Sequence, residues 1–271
     1  MIYHTQDYLG PGQHWFYEWC ERYFSKHADW VICNEPNRAR FMASSYKLKQ
    51  MPEVIRTALP SWWPVPARDQ VYRRSLLEQA GLGDIEQPRL IVAGGAYRQD
   101  RMSPELVQAF CQLPSNYALV FNYMPVGSTS QLACKEHLAQ LGIHDRVLFL
   151  DSLPYAELLK LYAACDIGIL LYPNNGIGHF YQAPGRLTEY LRCGIPVVAS
   201  DFPGLELLVL KYNLGAVANP YNPQAIAKAI HHLGKLSDAE LDETRLRLTT
   251  LATTELAYEH QAEEVFSRIF T

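Results

Sequence analysis

Arg186 and Glu189 lie three residues apart in the run APGRLTEYLRCGIPVVASD (183–201), and their types and spacing point to chemistry more directly than any other pair in the chain. On a helix, residues three apart share a face. Pro184 suits a first helical turn and Gly194 the position after the last, so 183–193 reads as a helix with Leu187, Tyr190 and Leu191 as its buried stripe. Free N–H groups at the start of such a helix attract an anion, and the Arg186 guanidinium adds a fork matched to phosphate oxygens. Glu189, one turn deeper, can accept two hydrogen bonds from a ribose diol. The most economical ligand carrying both hydroxyls and phosphates is a nucleotide sugar. The plainer alternative is a solvated ion pair between the two side chains.

A second candidate is Gly94-Gly95-Ala96-Tyr97-Arg98-Gln99-Asp100-Arg101, where two glycines permit a tight turn and close approach of the backbone to a ligand. Either Arg98 or Arg101 reaches phosphate here, or both are solvated loop arginines. The run is no Walker A loop, which also needs Gly-Lys-Ser/Thr. Leu150-Asp151-Ser152-Leu153-Pro154 occupies another strand end, and Tyr172–Ala183, with Asn174, Asn175, Gly176 and Gly178, reads as a wall around a sugar or simply as a polar turn.

The elements that must position these residues are legible from residue 89 onward. Leu90–Ala93, Ala118–Phe121, Val147–Leu150, Ile167–Leu171 and Pro196–Ala199 are short, nearly continuous apolar runs, as expected of strands covered on both faces. Helical patterns at about 103–113, 130–141, 154–164 and 183–193 alternate with them. Repeated βα units predict a parallel, doubly wound sheet whose strand C-terminal ends share one edge, where ligands bind.

The first 60 residues predict a strand at Met1–Thr5, an aromatic helix at 14–27, a strand at Asp29–Cys33, a helix at 35–45 and a short strand at Val54–Thr57. They read as the end of a domain whose first half is missing. Trp15, Trp19 and Tyr23 line one side of the aromatic helix, with Phe16, Cys20 and Phe24 adjacent. Such a helix is usually packed core, although a missing half-domain leaves part of it exposed. Arg38, Arg40, Lys47, Lys49 and Arg56 read as solvated surface, or as a face for anionic lipid or acceptor. Helices at 222–234, 238–252 and 254–270 close the chain.

These motifs resemble the C-terminal half of GT-B glycosyltransferases, in particular the retaining family-4-like enzymes (glycosyl transferases group 1). The resemblance rests on Pro184–Tyr190, Cys193–Ser200 and Tyr162–Ile169 and covers about residues 89–235; a looser one covers residues 1–60, through Tyr3–Asp7 and Ala28–Ile32. It implies an α/β GT-B-like architecture with a partial N-terminal Rossmann-like domain (1–60), a linker and connecting helix (61–88), a nucleotide-sugar-binding Rossmann-like domain (89–253) and a final helix (254–271) packing back toward the N-terminal part. By the same resemblance Glu189 binds the donor ribose, Arg186 and Arg101 or Arg98 act on the diphosphate as catalytic groups, and the 150–153 loop lines the base. The implied binding positions are Gly94, Gly95, Arg98, Arg101, Leu150, Asp151, Ser152, Leu153, Asn175, Gly176, Tyr181, Gln182, Arg186, Leu187 and Glu189. The family usually has a second glutamate seven intervening residues before the first; Tyr181 stands there, with Gln182 beside it. His4 and Asp7 are candidates for the interdomain cleft.

The expected reaction moves a sugar from a UDP-, GDP- or ADP-sugar to an unknown acceptor, without cofactor or metal, since no Asp-x-Asp pair is present and the arginines can neutralise the phosphates. The alternative is a non-catalytic nucleotide-sugar-binding subunit or fragment needing a partner chain that supplies the missing half-domain. A nucleotide-sugar 2-epimerase ranks lower, because Tyr181 and Gln182 replace the carboxylates it needs; an unrelated flavodoxin-like regulator ranks lower still.

Composition limits the alternatives. With 271 residues, 48% of them hydrophobic and 19% charged, the chain can bury a large core. Its 24 basic and 28 acidic residues leave a net charge of −4, against non-specific nucleic-acid binding. Six scattered cysteines without a CxxC pair suggest reduced thiols and a cytoplasmic setting. No run is long and apolar enough for a transmembrane helix, which leaves peripheral membrane contact open.

Overall fold

The computed structural model describes residues 1–6, 14–143 and 145–270. Asp7 lies outside the described residues. In chain order the first elements are β1 (Ile2–His4), α1 (Trp15–His27), β2 (Trp30–Cys33), α2 (Pro36–Tyr46), β3 (Glu53–Val54) and α3 (Gln70–Gln79). Next come β4 (Arg89–Gly94), a 3₁₀ turn at Gln99–Arg101, α4 (Ser103–Phe110), β5 (Tyr117–Asn122), α5 (Thr129–Gln140) and β6 (Val147–Leu150). They are followed by α6 (Tyr155–Ala164), β7 (Ile167–Leu170), α7 (Ile177–Phe180), α8 (Gly185–Arg192) and β8 (Val197–Ser200). The last are α9 (Pro203–Lys211), β9 (Gly215–Ala218), α10 (Pro223–Gly234), α11 (Asp238–Thr253) and α12 (Tyr258–Ile269).

Among the described residues the strands form two all-parallel sheets. One is ordered β1-β2-β3, the other β6-β5-β4-β7-β8-β9. Alternation along β4 and β5 shows why their sequences are apolar throughout. Leu90, Val92, Ala118 and Val120 point into one core cluster, while Ile91, Ala93, Leu119 and Phe121 point into the cluster on the opposite face. In the larger sheet the chain runs outward from β4 to β6, then returns to the other side of β4 as β7. The crevice beyond the C-terminal ends of β4 and β7 is therefore the topological switch point, where open α/β sheets bind ligands.

The expected strands and helices are present, with ends displaced by a few residues. α9 and β9 were not expected. β9 is only Gly-Ala-Val-Ala, three of the four half buried, so it carries little periodic signal.

Two sets of contacts tie the parts together. Arg192, at the end of α8, donates from Nη2 to the carbonyls of Ser61 (3.1 Å) and Trp63 (2.6 Å), holding the connecting segment against the larger sheet. At the N-terminal edge of that sheet the carboxylate of Asp166 is buried (1% exposed). It meets Arg68 Nη2 at 2.8 Å, Arg73 Nη1 at 2.8 Å and Arg245 Nη2 at 3.3 Å, and accepts the Leu90 N–H at 2.8 Å. One acid thus joins the connecting segment, α3, α11 and β4.

The aromatic helix corrects the packed-core reading. Trp15, Phe16, Tyr17, Trp19, Tyr23 and Phe24 are exposed, while Glu21 and Ser25 are buried. Glu21 is held inside by hydrogen bonds from Thr5 Oγ1 (3.0 Å) and the Tyr46 hydroxyl (2.8 Å). Among the described residues no helix is long and apolar enough to cross a membrane.

Candidate functional site

α8 begins just past the switch point, with Pro184 as its N-cap and no side chain capping the first turn. Leu187, 4% exposed, seats this helix in the core against Leu205 and Leu208. That corrects the expectation of Leu187 as a ligand contact: its side chain is spent on packing, and its N–H already bonds the Pro184 carbonyl (3.1 Å).

Arg186 extends from α8 over the Gly94–Gly95 turn. A Cβ on Gly94 would come within 2.6 Å of Arg186 Nε and 2.9 Å of the Tyr190 hydroxyl. Gly95 has φ +113°, a conformation that L side chains rarely adopt, and its N–H donates to Asn122 Oδ1 (2.8 Å). Beneath, the Tyr190 hydroxyl accepts the Gly94 N–H (3.2 Å) and its ring stacks edge-on with Tyr162 (4.7 Å). Burial alone weakens the guanidinium's hold on its proton, but Tyr190, Tyr172, Tyr162 and Glu189 around it keep its pKa above the ordinary value. The result is a half-buried cation on α8 beside the C-terminal end of β4.

Arg101 joins it from the 3₁₀ turn, with its guanidinium over the Tyr172 ring at 4.9 Å. Arg101 and Arg186 line a common cavity of about 280 Å³ with Gln182. Gln6, Asn34 and Thr57 close it from the side of the smaller sheet. Arg98 does not reach this cavity. Its Nε and Nη2 bind both oxygens of Asp100 at 2.8 and 2.7 Å, so of the two loop arginines the structure brings only Arg101 to Arg186.

Glu189 sits one turn deeper and half buried, and no ion pair joins it to Arg186. Its Oε1 accepts a hydrogen bond from the Tyr155 hydroxyl at 3.2 Å. Burial raises the Glu189 pKa above the ordinary carboxylate value, against the lowering effects of Tyr155 and Arg186. Asp151 and Ser152 are exposed on the loop leading to Tyr155, with Asp151 Oδ1 taking the Ser152 N–H at 2.7 Å. Leu150 and Leu153 are half buried against the core. This loop lies on the Glu189 side of the site rather than beside the arginines.

Asn175 is exposed and Gly176 opens α7 with φ +105°. Neither lines the arginine cavity, and Tyr181 turns its backbone onto Gly204 instead. His4 is exposed and does not line the cavity either; Gln6 does. Tyr172 opens the segment expected to wall the sugar, whereas sequence reasoning missed Tyr155, Gln6, Asn34 and Thr57 as parts of the site. Tyr155 carried a signal, since it opens the helix after a watched loop; the others gave none.

Gly94→Ala is expected to push Arg186 off the turn. Overpacking of this kind costs about 1–3 kcal/mol, so a lower melting temperature and weaker nucleotide binding by calorimetry should appear together.

The model of the family described as glycosyl transferases group 1 matches residues 78–250. The D-inositol 3-phosphate glycosyltransferase of Corynebacterium glutamicum is 32% identical over 189 residues, covering 68% of this chain and 42% of that protein. A GDP-mannose-dependent alpha-(1-6)-phosphatidylinositol monomannoside mannosyltransferase of Mycolicibacterium smegmatis is 27% identical over 62% of this chain and 43% of its own length. The chain thus spans about four-tenths of the length of these curated relatives. Among solved structures, Anabaena HepE in complex with UDP and glucose superposes with a TM-score of 0.75 at 17% identity, covering 99% of this chain and 70% of that one. WaaG, a glycosyltransferase involved in lipopolysaccharide biosynthesis, gives 0.68 at 16% identity over 99% and 74%. The fold is shared with these GT-B glycosyltransferases, and the chain belongs to the group 1 glycosyl transferases.

Proposed function

We propose that this chain binds a nucleoside-diphosphate sugar at the switch point between β4 and β7 and transfers the sugar to a hydroxylated acceptor, with retention at the anomeric carbon. The observation that carries the reading is the convergence of Arg186, from the first turn of α8, and Arg101, from the 3₁₀ turn after β4, on one cavity, with Glu189 a turn deeper. In this reading residues 89–253 form the donor unit and residues 1–60 the acceptor side. The acceptor hydroxyl oxygen bonds to the anomeric carbon from the face that the diphosphate leaves, as the bond from that carbon to the diphosphate breaks, and the hydroxyl proton passes to the leaving phosphate oxygen. Negative charge then grows on the leaving phosphate, where two preorganised guanidiniums lower the barrier; such electrostatic stabilisation is usually the largest single contribution. The arginines carry the charge that a metal carries elsewhere, so the reading asks for no metal or cofactor. HepE, whose fold this chain shares, forms complexes with UDP and glucose and with UDP-glucose, which supports a nucleotide-sugar donor. The free thiols of all six cysteines fit a reducing, cytoplasmic setting.

Calorimetric titration with UDP-, GDP- and ADP-sugars tests the reading. Micromolar-range binding of at least one is expected, and no binding of any would remove it. Affinity should also depend on pH. The ribose hydroxyls need Glu189 as a carboxylate, and burial raises its pKa. Binding should therefore be full at neutral pH and weaken as pH falls, beginning at a higher pH than for an ordinary carboxylate with its value of 4.5. Glu189→Gln should flatten that profile.

A second reading, donor binding with transfer only once a partner chain completes the acceptor side, is favoured by the exposed aromatic face of α1. Donor binding by this chain with transfer restored on adding that partner distinguishes it.

A further inference from the structure

We propose a second anion-binding site, built for a phosphate or phosphomonoester, in the cavity between α2 and α9, around Arg56. The cavity has a volume of about 230 Å³ and is bounded by the first turns of α2, by Arg56 just after β3 and by the face and end of α9. Three cations line it: Arg40, Arg56 and Lys211. Among the described residues none of the three has an ion-pair partner. Arg40 donates from Nη1 to Asn37 Oδ1 (3.0 Å), and the Lys211 ammonium donates to the Tyr212 hydroxyl (2.8 Å), both neutral acceptors. The single lining acid, Glu35, already serves the structure, accepting from the Arg38 N–H (2.7 Å) and from Asn37 Nδ2 (2.9 Å).

Arg56 is the centre of the site. Its backbone N–H is bonded to Gln261 Oε1 (3.0 Å), but its guanidinium makes no hydrogen bond among the described residues. Burial lowers its pKa, and Glu35 acts on it only through space. Half buried and without a hydrogen-bonded or ion-paired acid among the described residues, this guanidinium can be satisfied by an oxyanion with several acceptor oxygens. Because α2 belongs to the smaller sheet's side and α9 to the larger sheet's side, a bound anion would bridge the two. None of the three cations belongs to the Arg101–Arg186 donor site, so this site does not depend on the proposed function.

The experiment uses Arg186→Gln protein, in which the donor site is weakened, and titrates inorganic phosphate by calorimetry while following the melting temperature. Phosphate is expected to bind and to raise the melting temperature. Adding Arg56→Gln is expected to weaken binding at least tenfold and to abolish the thermal shift. No heat with phosphate, or unchanged affinity after Arg56→Gln, overturns the proposal, as does a sharp loss of melting temperature with phosphate binding intact. Should Arg56→Gln not fold, Lys211→Gln at an exposed position is the substitute: at least threefold weaker binding supports the site and no change overturns it. Glycerol 3-phosphate separates the two ligand sources: tighter binding than inorganic phosphate identifies a phosphorylated metabolite, and equal binding identifies free phosphate. Donor binding by Arg56→Gln on the otherwise unaltered chain is expected to be unchanged, so loss of this site and failure of the donor reading give different results.

Discussion

Arg186→Gln is expected to weaken binding of the nucleotide sugar by about tenfold to a hundredfold while leaving the fold intact. Hydrogen bonds to charged groups contribute about 1.5–3 kcal/mol each, and every 1.4 kcal/mol is about tenfold in affinity. Glutamine keeps much of the volume over Gly94 but loses both the charge and the fork that reaches two phosphate oxygens. Among the described residues Arg186 makes no ion pair, so its loss leaves no orphaned acid there, and the melting temperature should change little. Calorimetry with the diphosphate sugar reads the first effect and thermal unfolding the second. Binding of the corresponding nucleoside, which has no phosphate, should be the same in both proteins. A variant with unchanged diphosphate affinity would place the pyrophosphate elsewhere.

The second large effect lies at the far edge of the same sheet. Asp166→Ala is expected to destabilise the protein by about 3–5 kcal/mol, because one buried and two half-buried guanidiniums lose their common counter-charge at once. For a chain of this size that is a fall in melting temperature on the order of 10 °C. Burial by itself pushes the Asp166 pKa up, but Arg73, Arg68 and Arg245, with the Leu90 N–H, hold it below the ordinary value. A folded-state pKa below the unfolded one stabilises at pH values above the unfolded pKa, about 3.9 for Asp. That contribution disappears as pH falls through the folded-state value. Denaturant unfolding of the two proteins should therefore differ most at neutral pH and converge in strong acid.

Much of this was legible from residue types and periodicity. β4, β5, β7 and β8 are covered on both faces, so their apolar runs had no alternative reading, and the order of βα units fixed which edge carries the ligand. Arg186 and Gly94 were legible because a helix start and a glycine turn are local features. Choosing Arg101 over Arg98 was not, since it depends on whether Asp100 folds back on its neighbour, a matter of rotamer and turn rather than spacing. Tyr155 meets Glu189 across 34 residues of sequence, and Gln6, Asn34 and Thr57 reach the cavity only through the packing of one sheet against the other. The aromatic helix misled for a related reason. Its apolar stripe looked like a core face, but the buried side is set by the Glu21 hydrogen bonds to Thr5 and Tyr46, and no periodicity reports such tertiary pairs.

The central claim is a division of labour: Arg186 grips the pyrophosphate and Glu189 the ribose. It is tested most directly by titrating Glu189→Ala and Arg186→Gln proteins with the best-binding nucleoside diphosphate and, separately, with inorganic pyrophosphate. Glu189→Ala should bind the nucleoside diphosphate at least tenfold more weakly yet bind pyrophosphate as the unsubstituted protein does, whereas Arg186→Gln should weaken both. If Glu189→Ala leaves nucleoside diphosphate affinity unchanged, or weakens pyrophosphate equally, the assignment is contradicted.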